Sequence, residues 1–110
     1  MPLIAMCMPI LPGKKEMWLE MMNKVQQEPM ATQFKQSRKD AGVHERSFLQ
    51  ETPAGDFVIL TFEGENPAES FGKIMAEMDA DFAAFAKEVH GLDPEAGPPS
   101  MPTLMFDSES

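Results

Sequence analysis

Two stretches of this 110-residue chain, Leu3–Ile10 and Phe57–Phe62, are apolar on both alternating faces, yet the remaining pattern offers helices for only one face of a sheet. A strand with one wet face alternates apolar and polar residues, whereas a strand covered on both faces reads as an unbroken apolar run. The second face therefore needs a cover, and the simplest one is a second copy of the chain. Hiding some 500 Å² per subunit at about 25 cal/mol per Å² is worth on the order of 12 kcal/mol before the costs of association. The expected assembly is a homodimer through the open sheet face. The alternative is a sheet whose open face is covered by the C-terminal loop.

The helices follow from spacing and punctuation. After Pro12 and Gly13, Trp18, Met21, Met22 and Val25 recur at helical intervals, and beyond Pro29 the stripe Met30, Phe34, Ser37, Ala41 runs at a different angle. Proline removes a helical hydrogen bond and disfavours helix at the preceding residue, so a kink or two abutting helices are expected between Lys14 and Ala41. Gly42 stops the second half, with Arg38 and Lys39 complementing the dipole in its last turn. A second helical region opens at Asn66-Pro67-Ala68-Glu69, which reads as an N-cap, a first-turn proline and a capping-box acid. Its stripe is Phe71, Ile74, Met75, Met78, Phe82, Phe85, Ala86 and Val89, ended by Gly91. Asp79 and Asp81 could restart it, leaving one long helix or two short ones.

Strands are expected over Val43–Glu51, Asp56–Glu63 and Thr103–Asp107, the last after a Pro/Gly-rich loop from Leu92 to Pro102. Thr52-Pro53-Ala54-Gly55-Asp56 reads as a hairpin. A two-residue turn pairs Thr52 with Gly55, and a three-residue turn with a glycine bulge pairs Thr52 with Asp56. The Pro-x-Gly spacing favours the bulged form. The order is β-α-β-β-α-β over a single domain, residues 1–110, which is the split βαβ or ferredoxin-like arrangement of the α+β class. Right-handed crossovers would place the first and third strands centrally in a four-stranded antiparallel sheet with the helices on one face.

Composition excludes several functions. A formal charge of −9 opposes phosphate backbones and anionic membrane surfaces. One cysteine, Cys7, rules out an internal disulfide framework or a CxxC metal site, and its apolar strand predicts a buried structural thiol. Met1–Leu11 has no basic n-region and carries prolines, unlike a signal peptide, and no run is long enough to span a bilayer, so the cytoplasm is the expected compartment. No GxGxxG, GxxxxGK[ST] or GxSxG occurs, tyrosine is absent, and the two histidines have no metal-ligand spacing. No metal site and no cofactor are expected.

The element order, together with Val43-His44-Glu45-Arg46, Thr52-Pro53-Ala54-Gly55-Asp56, Glu63-Gly64-Glu65-Asn66-Pro67 and Glu88-Val89-His90-Gly91, resembles the dimeric α/β-barrel superfamily. Within it the chain is most similar to small, uncharacterised bacterial members. That superfamily includes antibiotic-biosynthesis-type monooxygenases, muconolactone isomerases, haem-degrading enzymes and chlorite dismutases. The resemblance implies a dimer holding a small apolar organic ligand and, for an enzyme, cofactor-independent oxygenation or isomerisation. A fold does not fix a function, however.

The polar groups nearest the apolar sheet are on the second strand, where His44, Arg46 and Gln50 share a face with Phe48, and Glu45 and Ser47 take the other. His44 and Arg46 are the candidate catalytic pair: an imidazole can serve as acid or base near neutral pH, and a guanidinium can fix a carboxylate or enolate. Phe48, Gln50, Met6, Met8 and His90 are the candidate pocket residues. The competing account makes His44 and Arg46 ordinary edge-strand charges, with Arg46 paired to Glu63 or Glu45. Position at a helix end makes His90 a stabilising imidazolium cap by default, although haem-degrading members of the superfamily use a helical histidine as iron ligand. Against a small-molecule site stands a rival class, a non-catalytic dimeric module with a solid core between its sheets.

Overall fold

A computed structural model describes residues 2–93, 96 and 100–109, so the loop expected over 92–102 lies partly outside the described residues. Strand β1 (Leu3–Ile10) is followed by helices α1 (Lys15–Val25) and α2 (Met30–Ala41), strands β2 (Val43–Thr52) and β3 (Gly55–Gly64), and helices α3 (Pro67–Ala76) and α4 (Ala80–His90). This is an α+β chain with a three-stranded antiparallel sheet, compatible with a ferredoxin-like fold. Sheet order is β1-β3-β2.

Both helical regions divide. Pro29, after a cis peptide bond with Glu28, separates α1 from α2. Asp79 separates α3 from α4 by capping the latter: its carboxylate accepts the Phe82 backbone N–H at 2.7 Å. Gly42 and Gly91 end α2 and α4 where the sequence placed the stops, each in the left-handed conformation. At α3 the expected capping box is not formed. The Asn66 side chain takes no backbone N–H and instead donates to the Glu69 carboxylate at 2.7 Å.

Three expectations are corrected. The hairpin has the two-residue turn, with Thr52 opposite Gly55 and Glu51 opposite Asp56; the favoured bulge is absent. Gly55 takes a φ of 140°, open to glycine alone among common residues, so the ladder closes directly behind Pro53-Ala54. Residues 103–107 form no strand, which leaves β1 at an edge and only β3 central. Leu104, Met105 and Phe106 are 75%, 88% and 81% exposed, so they cover neither sheet face. Finally, Cys7 is exposed rather than buried, because the pleat turns it away from the helices.

Register assigns each side chain to a face. Met6, Met8 and Ile10 of β1 and Val58 and Phe62 of β3 are buried against the helices, where they meet Trp18, Phe71, Ile74, Phe85 and Val89 in one core. The opposite face carries Leu3, Ala5, Cys7 and Pro9 beside Glu63, Thr61, Ile59 and Phe57. Beyond those lie His44, Arg46, Phe48 and Gln50. Among the described residues no helix covers this side, and Leu3 and Phe48 are each 51% exposed. Tight backbone contacts brace the sheet ends: a Cβ on Gly64 would lie 2.3 Å from the Gly42 carbonyl oxygen, and Leu11 N donates to Val89 O at 2.8 Å. Gly64 is therefore a place where chains approach too closely for any side chain.

Candidate functional site

The sheet separates the expected site residues into two groups. His44, Arg46, Phe48 and Gln50 lie on the open face, in successive rows with Glu63, Thr61, Ile59 and Phe57. His44 is exposed; Arg46 reaches Glu63 at 3.5 Å, and Gln50 donates to the Glu51 carbonyl at 3.2 Å. His44 and Arg46 therefore lie across the sheet from Met6, Met8 and His90.

That second side is hollow. Between the sheet and the four helices is a cavity of about 140 Å³ whose walls include Met6, Met8, Trp18, Phe34, Phe62 and Phe85. The walls follow from the pattern: alternate residues of β1 and β3 form the floor, and the i, i+3, i+4 stripes of the helices form the roof. Phe34 and Phe82, with ring centroids 5.5 Å apart, belong both to this cavity and to a surface cleft between α2 and the α3–α4 corner. Those rings stand where the cavity meets the outside.

Two polar features interrupt the apolar lining. At the β2 end, Arg38 of α2 donates from Nε to Glu45 Oε1 at 2.8 Å and from Nη1 to Ser37 Oγ at 3.1 Å. Its guanidinium also lies 5.1 Å from the centroid of the Phe34 ring. Both partners of this ion pair are about four-fifths buried, and Ser47 lies beside them. At the β1 end stands His90, 7% exposed. Its Nδ1 is 2.8 Å from the Pro9 carbonyl oxygen, and since a carbonyl can only accept, Nδ1 carries the proton. Phe85 meets the imidazole edge-on at 6.2 Å and fixes its plane.

His90 is thus no imidazolium cap. Burial lowers its pKa below the usual 6.5, opposed by the bond to Pro9, which raises it. The sign of the stability effect follows. The folded chain prefers neutral imidazole, so the contribution is complete above pH 6.5 and is lost as pH falls from 6.5 toward the lowered folded value. Urea midpoints should accordingly drop between pH 7.5 and 5.5, and His90→Gln should flatten that slope. An equal slope in the variant would assign it to other groups.

Arg38 and Glu45 are the site residues that sequence reasoning missed. A signal existed for each. Arg38 stands four residues after Phe34 and so shares its helix face, and Glu45 alternates with Val43 on the face that turns toward the core. Among the described residues, no group of three or more His, Cys, Asp or Glu could hold a metal ion, and no helix is long and apolar enough to cross a membrane. Comparison with family models, curated proteins and solved structures found no match. Fold and site together define the class as an α+β domain with a partly open apolar cavity bordered by one histidine and one ion pair.

Proposed function

We propose that the chain is a small-molecule-binding protein that works as a homodimer, with the subunits joined through the open sheet face and an apolar ligand in the cavity of each. The observation carrying this reading is the cavity itself: an aromatic and methionine lining with a few convergent polar groups is the usual form of a ligand site. The dimer rests on the uncovered apolar rows Ala5, Cys7, Ile59 and Phe57, bordered by half-exposed Leu3 and Phe48. The finer fold we propose is the dimeric α/β barrel, in which Thr103–Asp107 complete the sheet beside the free edge of β1. The unpaired edge and the three exposed apolar side chains of that segment support it. A cytoplasmic setting accords with the acidic composition.

For an enzyme of this kind, cofactor-independent oxygenation or isomerisation is the proposed chemistry. His44 and Arg46 then act from the interface between two sheets, where both side chains would face the partner copy. A non-catalytic interaction module is the second reading, favoured by the exposed Leu104-Met105-Phe106 run.

A thermal-shift screen with quinones, phenols and short acyl compounds tests the ligand reading. A compound present at a hundred times its Kd stabilises by about 2.7 kcal/mol, which is a rise of several degrees for a domain of this size. No rise with any compound, and no NMR perturbation of Met6, Met8 or Trp18, would favour the interaction module.

A further inference from the structure

We propose that the cavity takes a single-ring phenol in neutral form, with its hydroxyl donating to Nε2 of His90. This rests on the ligand-binding reading above and names the ligand class.

Size sets the first limit. A cavity of about 140 Å³ is close to the engineered apolar cavity of about 150 Å³ that accepts benzene. One ring matches that volume. Lining sets the second, since Trp18, Phe62 and Phe85 offer ring edges and faces, and Met6 and Met8 offer polarisable sulfur.

Polar chemistry then selects the substituent. His90 has one nitrogen committed to Pro9, and its Nε2 has no partner among the described residues. No sealed side-chain nitrogen or oxygen among those residues lacks a partner, so Nε2 is not shut inside the packing. His90 is 93% buried and lines the cavity, and we take its open Nε2 to face that space. A neutral imidazole nitrogen accepts and does not donate, so it calls for a ligand O–H or N–H. An ether, a ketone or a hydrocarbon would leave the lone pair unmet.

Charge excludes the anionic relatives of a phenol. Among the described residues the one guanidinium lining the cavity is held by Glu45 and Ser37, and the neutral histidine supplies no positive charge. Burying a benzoate there would place a carboxylate in the cavity with Glu45 already present. A ring hydroxyl meets both conditions, donating to the imidazole without bringing a charge.

The test measures binding of phenol, toluene, anisole and benzoate to the intact protein by calorimetry, with ¹⁵N spectra of histidine recorded alongside. Phenol should bind roughly 3- to 10-fold more tightly than toluene or anisole, as one hydrogen bond predicts, and should shift the His90 Nε2 resonance, which toluene leaves unchanged. In His90→Phe the order should invert, with toluene preferred. If that variant does not fold, the wild-type spectra and the anisole comparison decide alone. Equal binding of phenol and toluene would overturn the role of His90 and leave the cavity reading intact. Preference for benzoate would overturn the neutral-ligand assignment. Failure of all four to bind would overturn both.

Discussion

Replacing Phe62 by alanine should lower the unfolding free energy by about 3–5 kcal/mol. Phe62 is 1% exposed, lies on the central strand β3 between Ile4 and Glu45 of its two neighbours, and packs on Phe71 with ring centroids 5.3 Å apart. The loss has two parts. One is the transfer of a buried aromatic ring back to water, and the other is the void left when the neighbours cannot close in. That second part is unusually large here, because Phe62 already borders the cavity and its removal enlarges an existing space. Domains of this length commonly have about 5–15 kcal/mol in total, so the variant should unfold at much lower urea with its slope retained. Phe62→Leu, which keeps most of the volume, should cost under half as much. A Phe62→Ala loss below about 1 kcal/mol would mean that the sheet and helices are not locked together at this point.

The elements that could be located from sequence are those whose cause is local. The helical stripes, the interruption at Pro29 and the stops at Gly42 and Gly91 each depend on residues within a few positions of one another, and all are present; at Asp79, where the sequence left one helix or two open, the structure has two. What escaped depends on distant partners. The hairpin register turned on one residue, because Thr52-Pro53-Ala54-Gly55 is compatible with two turns and only the ladder to β3 chooses between them. Leu104-Met105-Phe106 is apolar enough for a strand, but a strand exists only where an edge meets it, and the isolated subunit leaves it in solvent. Site residues follow the same rule. Met6 and Met8 were legible as one face of β1, and the chemistry of His90 was not. Its helix-end position predicts a cation, while the packing of Phe85 and the Pro9 carbonyl around it make it a buried neutral acceptor. Arg38 looked like dipole compensation because its partner, Glu45, is on another element.

Placing two carboxylates on the open sheet face should convert the proposed dimer to a monomer. Leu3→Glu together with Phe48→Glu is the informative pair. Both side chains are half exposed in the subunit, on the outer strands of the face rather than at its centre, so a lone chain should lose little stability from either change. In a dimer the outcome is different. Phe48→Glu falls within the apolar row of Cys7, Ile59 and Phe48, and Leu3→Glu two rows away beside Glu63, so four carboxylates would have to leave water in a contact whose Arg46 is already paired with Glu63. The loss should exceed the several kcal/mol that holds a contact of roughly standard size together. Light scattering after size exclusion should give twice the chain mass for the wild type at tens of micromolar and a single chain mass for the variant, with circular dichroism and thermal midpoint nearly unchanged. Wild-type protein running as a single chain would remove the dimer outright. A variant that stayed dimeric would move the contact away from this face, toward the exposed Leu104-Met105-Phe106 segment, and Phe106→Asp would then be the substitution that separates the copies.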